Sequence, residues 1–389
     1  MKQLLAVLAL FGSLLVSSQA SPVVVRIAVA APLSGTRAST GKTIALGATL
    51  AVQEAQARFN RFGIKLELVQ FDDFATPVGG AAAARKIIQD PSILGVVGHM
   101  NSGVTLEAMP IYAPANLTLI SPSNTNPKVT DQGLANINRV CGRDDVQGPV
   151  AAEFIRSTLK VRRVLVINDG DTYGQGIAQN FTTRAKALGL AVVATISNPS
   201  GALSQAALET ITQQIKLYNP EAVYYGGTDI QGAAIVNAIS SLKSRAVFIG
   251  PDGLDNSNFV KLAGAAAKGV YFTSTAGPIS QLRGRDVTGF TQRYKTLFKA
   301  SPETYSPYAF DAANMLLESV LTVYRNNKKL PTRAEISNAV RGLEWDGVTG
   351  RIRLNANGDR QLADYYVLQY KTAQYPGELV KAIQSAPPQ

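Results

Sequence analysis

Short apolar runs alternate with longer stretches in which apolar residues recur at helical spacing. The first run, Val23 to Ala30, has the continuous β-branched character of a strand buried on both faces. This half of the chain is predicted to contain strands at 23–30, 65–71, 93–97 and 117–120, and helices at 44–61, 78–89 and 105–113. Repeated strand–helix–strand units predict a doubly wound parallel sheet with right-handed crossovers.

The same alternation restarts after Arg143. Helices are predicted at 147–159, 176–188, 205–217 and 231–241, and strands at 163–167, 191–196, 222–225, 246–249 and 269–273. Two similar sheets in series predict two Rossmann-like α/β lobes, and a length of 389 residues also favours two domains.

The last part of the chain has a different pattern. Helices are predicted at 306–326 and 331–342, and Asn357-Gly358 predicts a β-hairpin joining 350–354 to 364–370. We expect these segments to return to both lobes, so that several chain crossings form a hinge. The predicted division is 21–143 plus 274–349 for lobe 1, and 144–273 plus 350–389 for lobe 2.

The N-terminus has the pattern of a secretory signal peptide. Met1-Lys2 gives a positive start, the stretch from Leu4 to Val16 is almost entirely apolar, and Ser18-Gln19-Ala20 places small residues where a signal peptidase cleaves. A retained membrane anchor is the weaker alternative, because the apolar run is short for spanning a bilayer. Residues 1–20 are therefore predicted to be removed on export to a periplasm.

Composition argues against most enzyme classes. Cys141 and His99 are the only residues of their types, which disfavours a His/Cys metal site and excludes an intrachain disulfide. The chain has no Gly-x-Ser-x-Gly elbow and no P-loop. We expect no enzymatic activity, no cofactor and no metal. The net charge of +11 comes from scattered basic residues, which favours a solvated surface over nucleic-acid binding.

Polar residues follow several predicted strands, where ligands of open α/β sheets bind. In the first half, Ser102, Ser123 and Thr125 offer hydroxyls near helix starts, which suit a carboxylate. In the second half, Tyr173 and Asp252 suit a cation. A zwitterionic amino acid between the lobes would meet both sets. Each hydroxyl taken singly is also explained as a helix cap or a turn residue.

Seven short segments occur in an order that resembles the leucine/isoleucine/valine-binding protein family. They are Ala31-Pro32-Leu33-Ser34-Gly35, Phe71-Asp72-Asp73, Val97-Gly98-His99, Ile120-Ser121-Pro122, Tyr173-Gly174-Gln175-Gly176, Val223-Tyr224-Tyr225-Gly226-Gly227 and Gly250-Pro251-Asp252-Gly253. The resemblance extends from about Arg26 to the predicted hairpin. It implies the type I periplasmic binding protein fold, a monomer that closes around its ligand at a hinge, and a membrane permease of an ABC importer as partner.

The resemblance also implies roles for individual residues. Ser102 and Thr125 correspond to hydroxyls that bind the α-carboxylate of an amino acid, with the backbone of Ser123 beside them. Asp252 stands where the family usually has a glutamate that binds the ammonium group, and Tyr173 matches a tyrosine that closes over the ligand.

The side-chain pocket departs from that of the branched-chain amino-acid binders. Met100 and Asn101 would line it, but Thr40 and Thr228 stand near positions where the family has aromatic residues. Both changes make the pocket roomier and more polar, so small neutral amino acids are expected as ligands as well as branched-chain ones. The alternative is a binding or sensing protein for amides or urea-like molecules, which would have no need of the Asp252 carboxylate.

Overall fold

A computed structural model describes residues 23–198 and 203–388; the predicted signal peptide lies outside these ranges. The strands are β1 Val23–Ala31, β2 Ile64–Asp72, β3 Ile93–Gly98, β4 Thr118–Ser121, β5 Ile137–Arg139, β6 Arg163–Asn168, β7 Ala191–Ser197, β8 Ala222–Gly226, β9 Val247–Gly250, β10 Tyr271–Ser274, β11 Trp345–Gly347, β12 Gly350–Ile352, β13 Ala363–Gln369 and β14 Glu378–Ser385. The α-helices are α1 Ala38–Asn60, α2 Pro77–Gln89, α3 Ser102–Tyr112, α4 Asp144–Ser157, α5 Thr172–Ala187, α6 Gln205–Tyr218, α7 Asp229–Ser241, α8 Ser257–Ala263, α9 Val287–Phe298, α10 Ser306–Asn327 and α11 Arg333–Gly342. Among the helices described, none has the length and apolar character needed to cross a bilayer.

The first sheet has five parallel strands in the order β2-β1-β3-β4-β5. The chain therefore winds outward in one direction from β1 to β2 and in the other from β3 to β5. This arrangement confirms the predicted doubly wound sheet. It also creates a crevice between the carboxyl ends of β1 and β3, where open α/β sheets bind ligands.

The second sheet repeats this order and then extends it. Its parallel part runs β10-β9-β8-β6-β7, with the crevice between β6 and β8. On the β10 side it continues with β13 and β14, which are antiparallel. The two-lobed α/β fold class is thus confirmed, although the last strand, Glu378–Ser385, was absent from the prediction.

The predicted hairpin between 350–354 and 364–370 is wrong. A tight turn does form at Asn357-Gly358, and a single β-bridge joins Leu354 to Arg360. Beyond that bridge the two segments separate: β12 pairs with β11, and β13 pairs with β10 and β14. At the edge of the second sheet β13 pairs with a strand on each side, whereas a local hairpin would pair it on one side only. The sequence around residues 350–370 does not indicate that this edge is available.

Late segments of the chain complete the first lobe. Helix α10 packs along α1 and under the first sheet, with Leu316 fully buried. Its approach is so close that a Cβ on Gly95 of β3 would lie 2.6 Å from the Leu316 side chain. The apolar core beneath the first sheet therefore depends on a helix that lies more than 200 residues further along the chain.

Three chain crossings join the lobes, after β5, after β10 and after β12. A buried ion-pair cluster ties the first crossing to the third: Asp359 contacts Arg139 at 2.8 Å and Arg143 at 2.9 Å. Ile352 and Leu354 both pack into the core of the first lobe, which favours a last boundary after Leu354. We propose the predicted domain division with this adjustment.

Replacing Leu316 with alanine should test the dependence on α10. Removing a fully buried leucine side chain leaves a cavity and typically costs about 2–5 kcal/mol of unfolding free energy. The matched control is Leu297→Ala, because Leu297 is 43% exposed and its loss should change stability by less than about 0.5 kcal/mol. Urea unfolding of both variants provides the measurement, and equal losses would contradict the packing described for α10.

Candidate ligand site between the lobes

A cavity lies between the lobes, at the carboxyl ends of the parallel strands of both sheets. The space free of protein atoms there, counted together with the part open to solvent, is about 500 Å³. Its lining residues come from the loops after β1, β3, β4, β6, β8 and β9 and from the start of α10: Arg37, Thr40, Met100, Asn101, Ser102, Ser123, Tyr173, Thr228, Asp229, Asp252, Gly253, Asn256 and Tyr305. Both crevices of the doubly wound sheets thus contribute to one site.

Eight of the nine residues predicted from the sequence line this cavity, and Thr125 does not. Thr125 is fully buried behind the lining, and its carbonyl accepts a hydrogen bond from the Asp144 amide at 2.8 Å. The structure therefore brings together Thr40, Met100, Asn101, Ser102, Ser123, Tyr173, Thr228 and Asp252. Their contacts with a ligand remain predictions.

The Asp252 carboxylate is the most constrained group in the cavity. It is only 3% exposed, and it accepts hydrogen bonds from Gln147 Nε2 at 2.9 Å, the Tyr173 hydroxyl at 2.6 Å and the Tyr305 hydroxyl at 2.7 Å. All three donors are neutral. Among the described residues, no lysine or arginine forms an ion pair with this carboxylate. Burial raises the pKa of Asp252, and the three donors oppose that shift.

Donors to this carboxylate come from both lobes. Gln147 and Tyr173 lie on α4 and α5 of the second lobe, whereas Tyr305 immediately precedes α10 and packs into the first core. Burial and the nearby Asp252 charge raise the pKa of Tyr173 and Tyr305 well above the usual range for tyrosine. Both hydroxyls therefore keep their protons and act as donors.

The first lobe presents the N-terminus of α3 to the cavity, beginning at Ser102. The loop before it is held in place because the Met100 carbonyl accepts hydrogen bonds from Ser123 Oγ at 3.1 Å and Asn124 Nδ2 at 2.8 Å. A helix N-terminus carries partial positive charge and free amide donors, so this side of the cavity suits a carboxylate. The first lobe thus offers an environment suited to negative charge, whereas the second lobe offers the Asp252 carboxylate.

His99 has a structural role and does not line the cavity. It is fully buried, with Nδ1 at 2.7 Å from the Asp73 carboxylate and Nε2 at 3.1 Å from the Tyr112 hydroxyl. Both ring nitrogens of His99 are therefore engaged by side chains of the first lobe.

The second lobe places only acidic charge at the cavity. The connections 168–174, 226–229 and 250–256 contain no lysine or arginine, and they carry Asp169, Asp171, Asp229, Asp252 and Asp255. Burial, together with the charge of Asp171, raises the pKa of Asp169 to about 6. Arg37 of the first lobe extends to these aspartates and forms an ion pair with Asp171 at 2.9 Å. The Arg37–Asp171 pair therefore joins the two lobes across the mouth of the cleft.

Sequence reasoning missed several lining residues. Arg37 and Asp229 directly follow strand-end motifs that drew attention for other residues, so their position along the chain could have indicated them. Tyr305 follows no strand, and only the return of α10 to the first lobe brings it to Asp252. No local pattern could have identified it.

Comparisons with known proteins agree with this architecture. The family model described as periplasmic binding protein matches residues 24–375. An amino acid binding protein of Pseudomonas aeruginosa is 31% identical over 355 residues, covering 88% of this chain and 89% of that protein. A Leu/Ile/Val-binding protein of Rhizobium johnstonii is 34% identical over 252 residues, covering 65% of this chain and 68% of that protein.

A solved structure shares the fold over nearly its whole length. The leucine-binding protein LivK of Thermotoga maritima superposes with a TM-score of 0.83 at 25% identity, covering 92% of this chain and 98% of that one. Together with the family match, this shows that the chain belongs to the periplasmic binding protein family that includes the leucine/isoleucine/valine-binding proteins.

Proposed function

We propose that this protein is the periplasmic substrate-binding protein of an ABC importer and that it captures a small neutral amino acid by closure of its two lobes. The observation that carries the proposal is the buried Asp252 carboxylate, which has three neutral donors and, within residues 23–198 and 203–388, no cationic partner. An uncompensated buried charge is costly, and a ligand ammonium group would compensate it. Amino-acid binding named for the relatives supports the same ligand class.

The proposed order of contacts follows from the two charge environments. The ligand carboxylate would first meet the first lobe at Ser102, Ser123 and the amino end of α3. Closure would then bring Tyr173 and Asp252 onto the ammonium group. Since these second-lobe contacts exist only in the closed form, the ligand favours closure, and the closed form is the one that a permease would recognise.

The polar part of the cavity lining favours polar ligands. Arg37, Thr40, Asn101, Thr228 and Asp229 all belong to this lining. Arg37 and Asp229 already have partners in Asp171 and Asn258, but Asn101 Oδ1 is buried without one in the part of the chain that the structure describes. A leucine side chain would leave this oxygen unpaired, and leaving a buried polar group unpaired costs more than a lost contact. We therefore expect serine, threonine, asparagine or glutamine to bind more tightly than leucine.

Replacing Asp252 with asparagine should abolish amino-acid binding. The substitution keeps the size of the side chain but removes the charge that pairs with the ammonium group, and losing one partner of a buried charge pair costs about 100-fold or more in affinity. Isothermal titration of the mature protein against the twenty amino acids, acetamide and urea provides the measurement. The exposed Asp346→Asn variant is the control. Binding of only uncharged amides, unchanged in Asp252→Asn, would overturn the amino-acid proposal in favour of the amide-sensing alternative.

Breaking the Arg37–Asp171 pair should loosen the closed form. The pair is partly exposed, so Arg37→Ala is expected to weaken amino-acid binding by about fivefold and to reduce the sensitivity of binding to salt. Small-angle X-ray scattering without ligand should show a larger radius of gyration for the variant. Arg61→Ala, at the far end of α1, serves as the control. An unchanged radius of gyration together with unchanged amino-acid affinity would show that the Arg37–Asp171 pair does not stabilise the closed arrangement of the lobes.

Restoring an aromatic side chain at the pocket should change specificity. Thr40→Phe combined with Thr228→Phe would replace polar lining with apolar surface, so leucine affinity relative to threonine should rise by about tenfold. Competition titrations with the two amino acids measure this ratio, and the exposed Thr183→Phe variant controls for the added ring. A ratio that stays constant would mean that these threonines do not contact the ligand side chain.

A further inference from the structure

The end of the second lobe opposite the cleft is formed by five connections that precede its parallel strands. They comprise residues 156–163, 186–191, 216–221, 242–247 and 264–270, which lead into β6, β7, β8, β9 and β10, and we call them the basic end face. Because parallel strands start at a common edge of their sheet, these connections lie side by side.

Hydrogen bonds show that the basic end face is continuous. They join neighbouring connections as follows: Arg156 Nε to Leu188 O at 3.3 Å, Ala191 N to Arg162 O at 2.8 Å, Arg163 to Tyr218 O at 2.6 Å, and Val247 N to Glu221 O at 2.9 Å. The β9–β10 pairing brings the fifth connection alongside the fourth.

Charge on this face is almost entirely positive. It carries nine basic residues, Arg156, Lys160, Arg162, Arg163, Lys186, Lys216, Lys243, Arg245 and Lys268, against one acidic residue, Glu221. The Glu221 carboxylate already accepts the backbone amides of Arg162 and Arg163. The net charge of the whole chain is +11, so most of that excess is concentrated here rather than scattered as the sequence suggested.

Helix dipoles account for only part of this concentration. Helices α4 to α7 all end at this face, and basic side chains in a last turn stabilise the negative end of a helix. Arg156, Lys186 and Lys216 occupy such last turns. The other six basic residues lie beyond the helices, and all six are exposed to solvent. Arg163 donates to the Tyr218 carbonyl at the end of α6, but the accumulation of the other five is not explained by such contacts among the described residues.

An apolar side chain projects from the same face. Leu217 is 70% exposed and lies next to Lys216, at the end of α6. Basic residues combined with an exposed leucine are typical of surfaces that bind the headgroup region of anionic bilayers. Nucleic-acid surfaces instead combine basic residues with stacking aromatics or a groove, and the two exposed large apolar side chains on the described helices of this lobe, Leu217 and Leu262, are both aliphatic.

We propose that the basic end face binds the surface of an anionic phospholipid bilayer. The choice of a membrane rests on the proposed function, since an importer's binding protein works beside the membrane that holds its permease. The face lies at the opposite end of the sheet from the ligand cavity, so membrane contact leaves the cleft free. Binding depends on the combined charge of many side chains and is therefore sensitive to salt.

The experiment is co-sedimentation of the mature protein with vesicles. Vesicles of phosphatidylcholine with about 30% phosphatidylglycerol should bind the protein at about 50 mM salt and release it at about 500 mM. The test variant combines Lys160→Gln, Arg162→Gln, Lys243→Gln, Arg245→Gln and Lys268→Gln. Arg163 is left intact because its guanidinium donates to the Tyr218 carbonyl. The control variant removes the same number of exposed charges from the first lobe through Lys42→Gln, Arg85→Gln, Lys86→Gln, Lys328→Gln and Lys329→Gln.

The expected result is a loss of vesicle binding of about tenfold or more in the test variant and little loss in the control. Equal losses in both would overturn the proposal, because net charge alone would then explain binding. Equal binding to pure phosphatidylcholine, or preferential binding of a duplex oligonucleotide over the vesicles, would also overturn it.

Amino-acid titration of each variant is carried out in parallel. Vesicle binding without amino-acid binding would contradict the proposed function alone, and the reverse result would contradict the membrane surface alone.

Discussion

A single carboxylate removed from water organises the cleft. Asp252 accepts three hydrogen bonds, and these stabilise its charge without neutralising it, because each donor is a neutral amide or hydroxyl. Tyr305 belongs to the first core while Gln147 and Tyr173 belong to the second lobe, so the donor shell is complete only when the lobes are together. Closure and charge compensation are therefore linked at one residue, and a ligand that supplies positive charge is favoured in that state.

The second lobe separates its charges along the direction of its strands. Aspartates follow the strands at the cleft, where helices begin, and lysines and arginines precede the strands at the far end, where helices stop. The helices that connect the parallel strands all run in the same direction, so their dipoles point the same way. Aspartates near the helix N-termini and basic residues near the helix C-termini are both favourable for this reason. The acidic end has no base of its own and relies on Arg37 from the first lobe.

Sequence patterns predicted both sheets and most of the cavity lining, because strand periodicity and strand-end position are local properties. Ligands of open α/β sheets bind at the carboxyl ends of the strands, so Ser102, Tyr173 and Asp252, which all follow predicted strands, could be assigned to one site. The failures are non-local. Tyr305 reaches the cavity only through the packing of α10, and the segment from 364 to 370 joins an existing sheet edge instead of a hairpin. Residues 364–370 can pair either across the turn at Asn357-Gly358 or with the distant edge strand β10. Tertiary pairing decides between the two, and it cannot be seen in a short stretch of sequence.

The three crossings also determine when each lobe can finish folding. The first core requires α10, at Ser306–Asn327, and the second sheet requires β13 and β14, which end at Ser385. Neither lobe is a continuous stretch of chain, so a nascent chain that has emerged only as far as residue 300 contains no complete domain. The two lobes therefore cannot fold one after the other as the chain is synthesised. The contacts that complete both cores join residues that are far apart in the sequence. Both cores therefore stay incomplete until segments beyond residue 300 are available, and a chain with incomplete cores is easier to pass through a narrow channel than a folded one.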